Sequence, residues 1–391
     1  MLNIWSEKRW VNVTIDILLF LLGINFLHYA QIIVPIICLI MFIDNNFKFK
    51  VKNIKVFVLL CLFGVSFLAF GFKLGAFAFM GLFVPMAYYV GSNMYEPSEE
   101  KIIHVIYIFT IAMTLHIVLN FATDLAIRGL NTFNKLSHFD IWTLDEYPTT
   151  QTAACYVFVL GILYYVFVYE KNKKNMFTTI GLFAIALPYL LVLGRRTPLL
   201  IFAIVVLFTF VVDFFILKNR NKGIIVVLSL LLFAIAFGIL LYMTYEFNLF
   251  GLRAVVEKMS IVRKFIYQKL IYTTRFDIMK DTIELMPMHM WGGREITNIL
   301  TDGPHELWLD VFDIGGIVPY IILIIYSIIS AVCIIKIFLN SKLTKSFKLL
   351  IMSLFISITL QFFLEPIMSG SSVILLCVVI ILGSLECLQA K

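Results

Sequence analysis

His305 and Glu306 stand side by side in Gly303-Pro304-His305-Glu306, directly ahead of a long apolar run, and Asp310 and Asp313 follow at helical spacing. An imidazole, with an ordinary pKa of about 6.5, suits proton abstraction near neutral pH. Pro304 fits the first position of a helix, with Asp302 or Gly303 as its cap, so a helix start is predicted there. His305 would then lie in the first turn, where unbonded amides and the helix dipole favour an anion. Glu306, Asp310 and Asp313 would share one face, able to orient His305 or to hold hydroxyl groups of a ligand. A plainer reading stands beside this one. A lone histidine at a membrane interface is often only a hydrogen-bonded amphipathic residue, and acids in a first turn can serve the dipole alone.

Arginine supplies the complementary chemistry. Arg195 and Arg196 form the turn Gly194-Arg195-Arg196-Thr197-Pro198 between two apolar runs, Arg275 sits in Thr273-Thr274-Arg275-Phe276-Asp277, and Arg294 follows Gly292-Gly293. A guanidinium offers a planar fork that binds phosphate or carboxylate through two bonds, which lysine cannot do. Against a phosphate clamp stands the alternative that Arg195 and Arg196 snorkel to lipid headgroups and that Arg275 pairs with a nearby acid. His28, His104, His116, His138 and His289 lack comparable neighbours in sequence and read as structural. His305-Glu306 has no second histidine one turn on, so it is not a metalloprotease motif, and no Walker loop or GxSxG is present.

The elements that must position these groups are membrane helices. The chain has 391 residues, 61% of them apolar and 14% charged, whereas a soluble domain is about half apolar and about a quarter charged. Such a surplus cannot be hidden in a core of this size, so an all-α polytopic membrane protein is expected. The six cysteines lie in or at the ends of apolar runs with no CxxC, and read as small buried hydrophobes. No small-residue cleavage site follows the first apolar run, which reads as an uncleaved anchor.

A span needs about 20 apolar residues. Val11–Ile43 is too long for one and divides in two around His28–Gln31 and Pro35. Ile54–Phe70, Leu74–Val90, Ile102–Ala122, Thr149–Tyr169, Met176–Leu193, Pro198–Leu217, Ile224–Tyr245, Leu307–Phe338, Phe347–Leu364 and Ser371–Leu388 complete about twelve transmembrane helices. The layout is therefore residues 1–245 as helices one to nine with an external loop at 123–147, residues 246–304 as a large external loop, and 305–391 as helices ten to twelve.

Lysine clusters at 48–55, 171–174, 218–222 and 342–348, with Lys8-Arg9, all fall on one side of this layout, which the positive-inside bias makes cytoplasmic, both termini included. Only Arg9 and Arg220 of the nine arginines lie on that side. The other seven, Arg128, Arg195, Arg196, Arg253, Arg263, Arg275 and Arg294, lie outside. Orientation needs only positive charge, so this segregation points to an external site for an anionic ligand. In the large loop, Leu252–Ile271 has apolar residues on one face and Arg253, Arg263 and Lys264 on the other, as in a helix lying in the interface plane.

External Arg-Arg after a span, a large loop with T-x-R-F, a Gly-Gly turn, and Gly-Pro-His-Glu leading into LWLDVFDIGGIVPYIIL together resemble the O-antigen polymerase and ligase superfamily, chiefly over residues 190–320. Its hallmark is a His-Asn pair before a helix with a Gly-x-x-Gly-like stretch; Glu306 stands here where Asn is usual. The resemblance implies a metal-independent inverting glycosyltransferase without cofactor. It would act in the cytoplasmic membrane, on the outer face, and polymerise polyprenyl-pyrophosphate-linked oligosaccharide repeat units into O-antigen, capsule or exopolysaccharide. Carried over by position, His305 with Glu306 is catalytic, with His305 the general base. Arg196 and Arg275 bind pyrophosphate, and Arg195, Arg294 and Asp310 contribute to pyrophosphate or glycan binding. Implied partners are lipid-linked donor and acceptor, membrane lipids, and a chain-length regulator and flippase of the same pathway; nothing points to nucleic acid.

Three other readings remain open. A ligase moving finished glycan to a lipid or protein acceptor would use the same residues. A flippase or transporter of lipid-linked oligosaccharide should show repeated halves and polar residues at mid-membrane, and the sequence shows neither. A non-enzymatic membrane partner would leave the arginines and His305 unexplained.

Overall fold

A computed structural model of the chain describes residues 2–389 apart from 49, 95, 135–136, 193–195, 218–219, 252, 259–273, 302 and 366. Helix accounts for 83% of the chain, against about a third in soluble proteins. In order, the helices are α1 Leu2–Gly23, α2 Ala30–Asp44, α3 Ile54–Gly71, α4 Met80–Asn93, α5 Glu99–Arg128, α6 Thr149–Ala154, α7 Tyr156–Val168, α8 Lys173–Val192, α9 Arg196–Val211 and α10 Arg220–Phe247. After the short α11 Arg253–Lys258 come α12 Thr274–Leu285, α13 Glu295–Leu300, α14 Leu307–Gly315, α15 Ile317–Leu339, α16 Lys345–Leu364, α17 Ile367–Gly370 and α18 Ser372–Gln389. Among the described residues seven helices are long and apolar enough to cross a membrane, and α2 and the apolar part of α1 are shorter.

Several boundaries differ from the sequence reading, each for a local reason. The first apolar stretch breaks at Asn25, Leu27 and His28, all at positive φ, slightly ahead of the predicted point. Pro35 sits near the start of α2 and does not end it. α5 continues through Arg128 into the predicted external loop, which goes on with a 3-10 turn at Gly129–Asn134 and a hairpin, β1 (Ser137–Phe139) against β2 (Glu146–Pro148). The predicted single helix Leu307–Phe338 is two, α14 and α15, divided at Gly316 with φ 80. Pro319 lies in the first turn of α15, where its missing N–H costs no helical bond. Of the predicted interfacial helix, α11 is described; residues 252 and 259–271 lie outside the described residues.

The chain forms two compact units. The first comprises Met1–Ala112, Thr273–Leu343 and Phe362–Lys391; the second comprises Met113–Tyr272 and Thr344–Gln361. The first is built around α4 and α18. α18 is buried over nearly its whole length, as expected for a helix that is apolar all round. Small residues let the two backbones approach. Ser384 Oγ donates to Gly91 O at 2.8 Å, and a Cβ on Gly91 would lie 2.0 Å from Ile380 O. α3 meets α4 the same way: a Cβ on Gly64 would lie 2.8 Å from Gly81 O. In the second unit α7 is the buried helix. Tyr156 donates to Ala186 O at 2.6 Å and Ser357 to Val157 O at 2.7 Å, which ties α7 to α8 and α16.

Gly91→Ala should therefore destabilise the protein by about 1–3 kcal/mol through overpacking. Gly181→Ala, where nothing lies within 4 Å of the added atom, should be neutral or slightly stabilising. Thermal unfolding of the two purified variants side by side checks this; equal midpoints would refute the close α4–α18 approach.

Candidate functional site

The segment between α12 and α14 is held down on the α14–α15 junction by backbone hydrogen bonds. Gly293 N donates to Ile314 O at 2.9 Å, Arg294 N to Asp313 O at 2.7 Å, and Ile317 N to Met290 O at 2.9 Å. Two glycines at positive φ make the approach feasible. A Cβ on Gly292 would lie 2.5 Å from Gly316 N, and one on Gly316 would lie 2.6 Å from Met290 O. Trp291 packs on Phe70 of α3, ring centroids 5.4 Å apart.

Asp313 completes the joint. Its carboxylate accepts from Ile296 N at 3.1 Å, Thr297 N at 3.2 Å and Thr297 Oγ1 at 2.5 Å, so it caps α13 from another helix. Arg294, at the cap position itself, is left-handed with φ 60 and makes no side-chain cap bond. Asp313 is 1% exposed. Its described bonds go to α13, whereas the sequence reading had it orient His305 or hold hydroxyl groups.

The predicted helix start is corrected as well. Residues 303–306 are not helical, α14 begins at Leu307, and Glu306 is its N-cap. Glu306 Oε1 accepts from Leu309 N at 2.8 Å, so Glu306 caps in place of Gly303 and Pro304 is not the first helical residue; Asp302 lies outside the described residues. His305 lies one residue ahead of the cap, half-buried, outside the first turn. One first-turn amide, that of Leu309, is satisfied by an internal carboxylate and not by an external anion. Burial pushes the Glu306 carboxyl up to about 6, opposed by its bond from Leu309.

Asp310 is 3% exposed. It accepts from Ser369 N at 2.8 Å and Ser369 Oγ at 3.1 Å, joining α14 to α17. The charge of Arg294 acts on it. The predicted site residues Arg294 and Asp310 are thus close enough to interact. Arg275 donates to Leu364 O at 2.6 Å and pairs with Glu365 at 3.1 Å. That acid is 1% exposed and 90 positions away in sequence, not a neighbour on the same helix face.

The arginine pair belongs to the second unit. Arg196 is the first residue of α9; Arg195 lies outside the described residues, as does Arg263. Arg128 is structural. It donates to Ser137 O at 2.8 Å, pairs with Glu146, approaches Asp124 at 3.8 Å, and stacks 4.3 Å over the Phe139 ring. Arg253 pairs with Glu257 at 2.9 Å, one turn along α11.

Sequence reasoning missed the polar cluster around that hairpin. His138 Nε2 meets Thr152 Oγ1 at 2.6 Å, Asn120 Nδ2 donates to Thr152 at 3.3 Å and meets His116 at 3.2 Å, and His116 lies 3.7 Å from Asp140. Burial, reinforced by His116, pushes the His138 imidazole down to about 4, so it is neutral at physiological pH. His116 and His138 do therefore have neighbours, brought together across 14 to 32 positions. All five members, His116, Asn120, His138, Asp140 and Thr152, are buried.

Within the first unit, the two ends of α3 separate two chemistries. Asn53, just before α3, donates to Glu386 near the end of α18 at 3.1 Å, and Gln389 donates to Cys333 O near the end of α15. The other end of α3 meets Trp291 and Ile314. With 18 residues at about 1.5 Å each, α3 separates the 290–316 junction from the lysine-bearing end by nearly the hydrocarbon thickness of about 30 Å.

The chain matches no protein-family model, and no curated protein matches it. The reading of the site rests on its own chemistry.

Proposed function

We propose that the chain is a twelve-span glycan polymerase of the cytoplasmic membrane, with both termini cytoplasmic and its site on the outer face. It joins oligosaccharide repeat units carried on polyprenyl pyrophosphate. The observation that carries the reading is the docked segment that holds Arg294, His305 and Glu306 at the end of the first unit remote from Lys52 and Lys336. A site for a lipid-linked sugar needs such a rigid place at the membrane surface, where the lipid stays in the bilayer and the glycan in water.

In the proposed reaction a hydroxyl of the acceptor glycan attacks the anomeric carbon of the donor from the face opposite the pyrophosphate. His305 takes the hydroxyl proton, the new glycosidic C–O bond forms, and the bond from the anomeric carbon to the phosphate oxygen breaks with inversion. Polyprenyl pyrophosphate leaves with the electron pair. Arginine stabilises the charge that develops on it, Arg294 being the candidate within the first unit and Arg196 the one that the family resemblance implies. Arg275 contributes by position, since its guanidinium is anchored on Leu364 and Glu365. Glu306 fixes the backbone beside His305, where the family resemblance expects Asn. A ligase passing finished glycan to another acceptor would share these steps, and the acceptor used in the assay separates the two.

His305→Ala and Arg196→Ala should abolish long-chain polymer while the protein still accumulates in the membrane. Arg275→Ala combines lost function with an unpaired buried Glu365, a loss of about 3–5 kcal/mol, so Arg275→Lys is the cleaner probe and should retain folding but lose most activity. Purified protein with a defined polyprenyl-pyrophosphate glycan should lengthen chains and release polyprenyl pyrophosphate. Normal chain lengths in the His305 variant would sink the assignment. Loss of single repeat units from the surface of cells lacking the protein would favour a flippase.

A further inference from the structure

At the lysine-bearing end of the first unit, residues at the start of α3 and near the ends of α15 and α18 line a cleft of about 490 Å³. That is within the range of about 300–1,000 Å³ usual for small-ligand sites. Its walls are of three kinds. Lys52 and Lys336 bring two cations, and neither is in an ion pair among the described residues. Ile328 and Val332 bring an aliphatic strip that is 60% and 44% exposed on α15. Glu386 is the one acid among the described lining residues.

Glu386 is half provided for. Its Oε2 accepts from Tyr88 Oη at 2.6 Å and Asn53 Nδ2 at 3.1 Å. Its Oε1 is buried and has no hydrogen-bond partner among the described residues. A buried carboxylate oxygen without a donor is unfavourable, and a ligand bearing an N–H donor in this cleft would complete it. A phosphate suits the two lysines, and basic pockets between spans on the cytoplasmic side are typical phospholipid headgroup sites. The exposed strip of α15 continues from the cleft as a surface for an acyl chain.

We infer that this cleft binds a membrane phospholipid with an amine-bearing headgroup. The phosphate lies between Lys52 and Lys336, the ammonium donates to Glu386, and one acyl chain runs along Ile328 and Val332. The chemistry selects among lipids. A choline head has no N–H to offer Glu386, and a glycerol head adds no positive charge to meet it. A water-soluble phosphoethanolamine has the polar groups without the chain. The site is independent of the glycan chemistry at the other end of α3 and stands or falls separately from it.

The test uses the full chain, stripped of lipid in detergent and titrated with phosphatidylethanolamine, phosphatidylglycerol, phosphatidylcholine or phosphoethanolamine. Bound lipid is counted by native mass spectrometry, and unfolding midpoints are followed in parallel. Phosphatidylethanolamine should be retained about tenfold better than phosphatidylcholine and should raise the midpoint, with phosphoethanolamine inert at millimolar concentration. Lys52→Ala with Lys336→Ala should weaken retention of every phospholipid, and Glu386→Gln should erase the preference for the amine while leaving the phosphate contribution. Both lysines are exposed, so their replacement keeps the test open even where the Glu386 variant fails to fold. Equal retention of the three lipids, retention of phosphatidylglycerol as strong as of phosphatidylethanolamine, unchanged retention in the lysine variant, or a shift with phosphoethanolamine alone would each overturn the assignment.

Discussion

The joint made by Asp313 is the constraint on which the candidate site depends. A helix of six residues such as α13 cannot persist alone, because nucleation costs more than so few bonds return. Its first amides need an acceptor, and Arg294 in a left-handed conformation offers none. Asp313 reaches across from α14 and accepts from two of those amides and from Thr297. A carboxylate so deeply buried is tolerable only because donors surround it. The backbone bonds of Gly293 and Arg294 then lie down along the same helix, so a segment of polar loop becomes part of the rigid end of the first unit.

The same economy governs the other buried polar groups. Asp213 accepts from Tyr164 at 2.9 Å and from Tyr169 at 2.5 Å, and Asp124 accepts from Phe139 N at 2.8 Å and from Tyr189. In each case a carboxylate ties helices or a helix and a loop together within one unit. Arg128 serves the hairpin in the complementary sense, its planar fork reaching Ser137 O, Glu146 and Asp124 from one side chain. An arginine from the group set apart by the lysine clusters can therefore be a cross-link, and that segregation alone does not identify a phosphate site.

Proximity in the first unit separates its groups by role. Glu306 and Asp313 spend their carboxylates on helix caps, and Asp310 spends one oxygen on Ser369. Arg275 is tied to Glu365. Arg294 and His305 are half-buried groups on the docked segment, and within the first unit the proposed chemistry falls to them. At the far end of α3 lie the lysines and Glu386, a different chemistry suited to phospholipid. One helix of membrane-spanning length keeps the two apart.

Composition and apolar run length determined that the chain is helical and membrane-embedded, because every backbone group in lipid must be satisfied within its own segment. Run length also located most helices to within a few residues, α3, α16 and α18 among them. The break at Gly316 was foreshadowed by Gly315-Gly316 and Pro319, yet an unbroken apolar run masked it. Local pattern could equally name His305, Arg275, Arg294 and Asp310 as chemically capable. Their partners were beyond it. Glu365 for Arg275, Ser369 for Asp310, Thr297 for Asp313 and the His116–His138 cluster are set by packing between segments 14 to 90 positions apart. Sequence periodicity records which face of a helix is apolar, and it holds no record of which distant donor that face will meet. Only the tertiary fold decides whether a carboxylate is a cap, a cross-link or a reactive group, because that depends on the donors within about 3 Å of it.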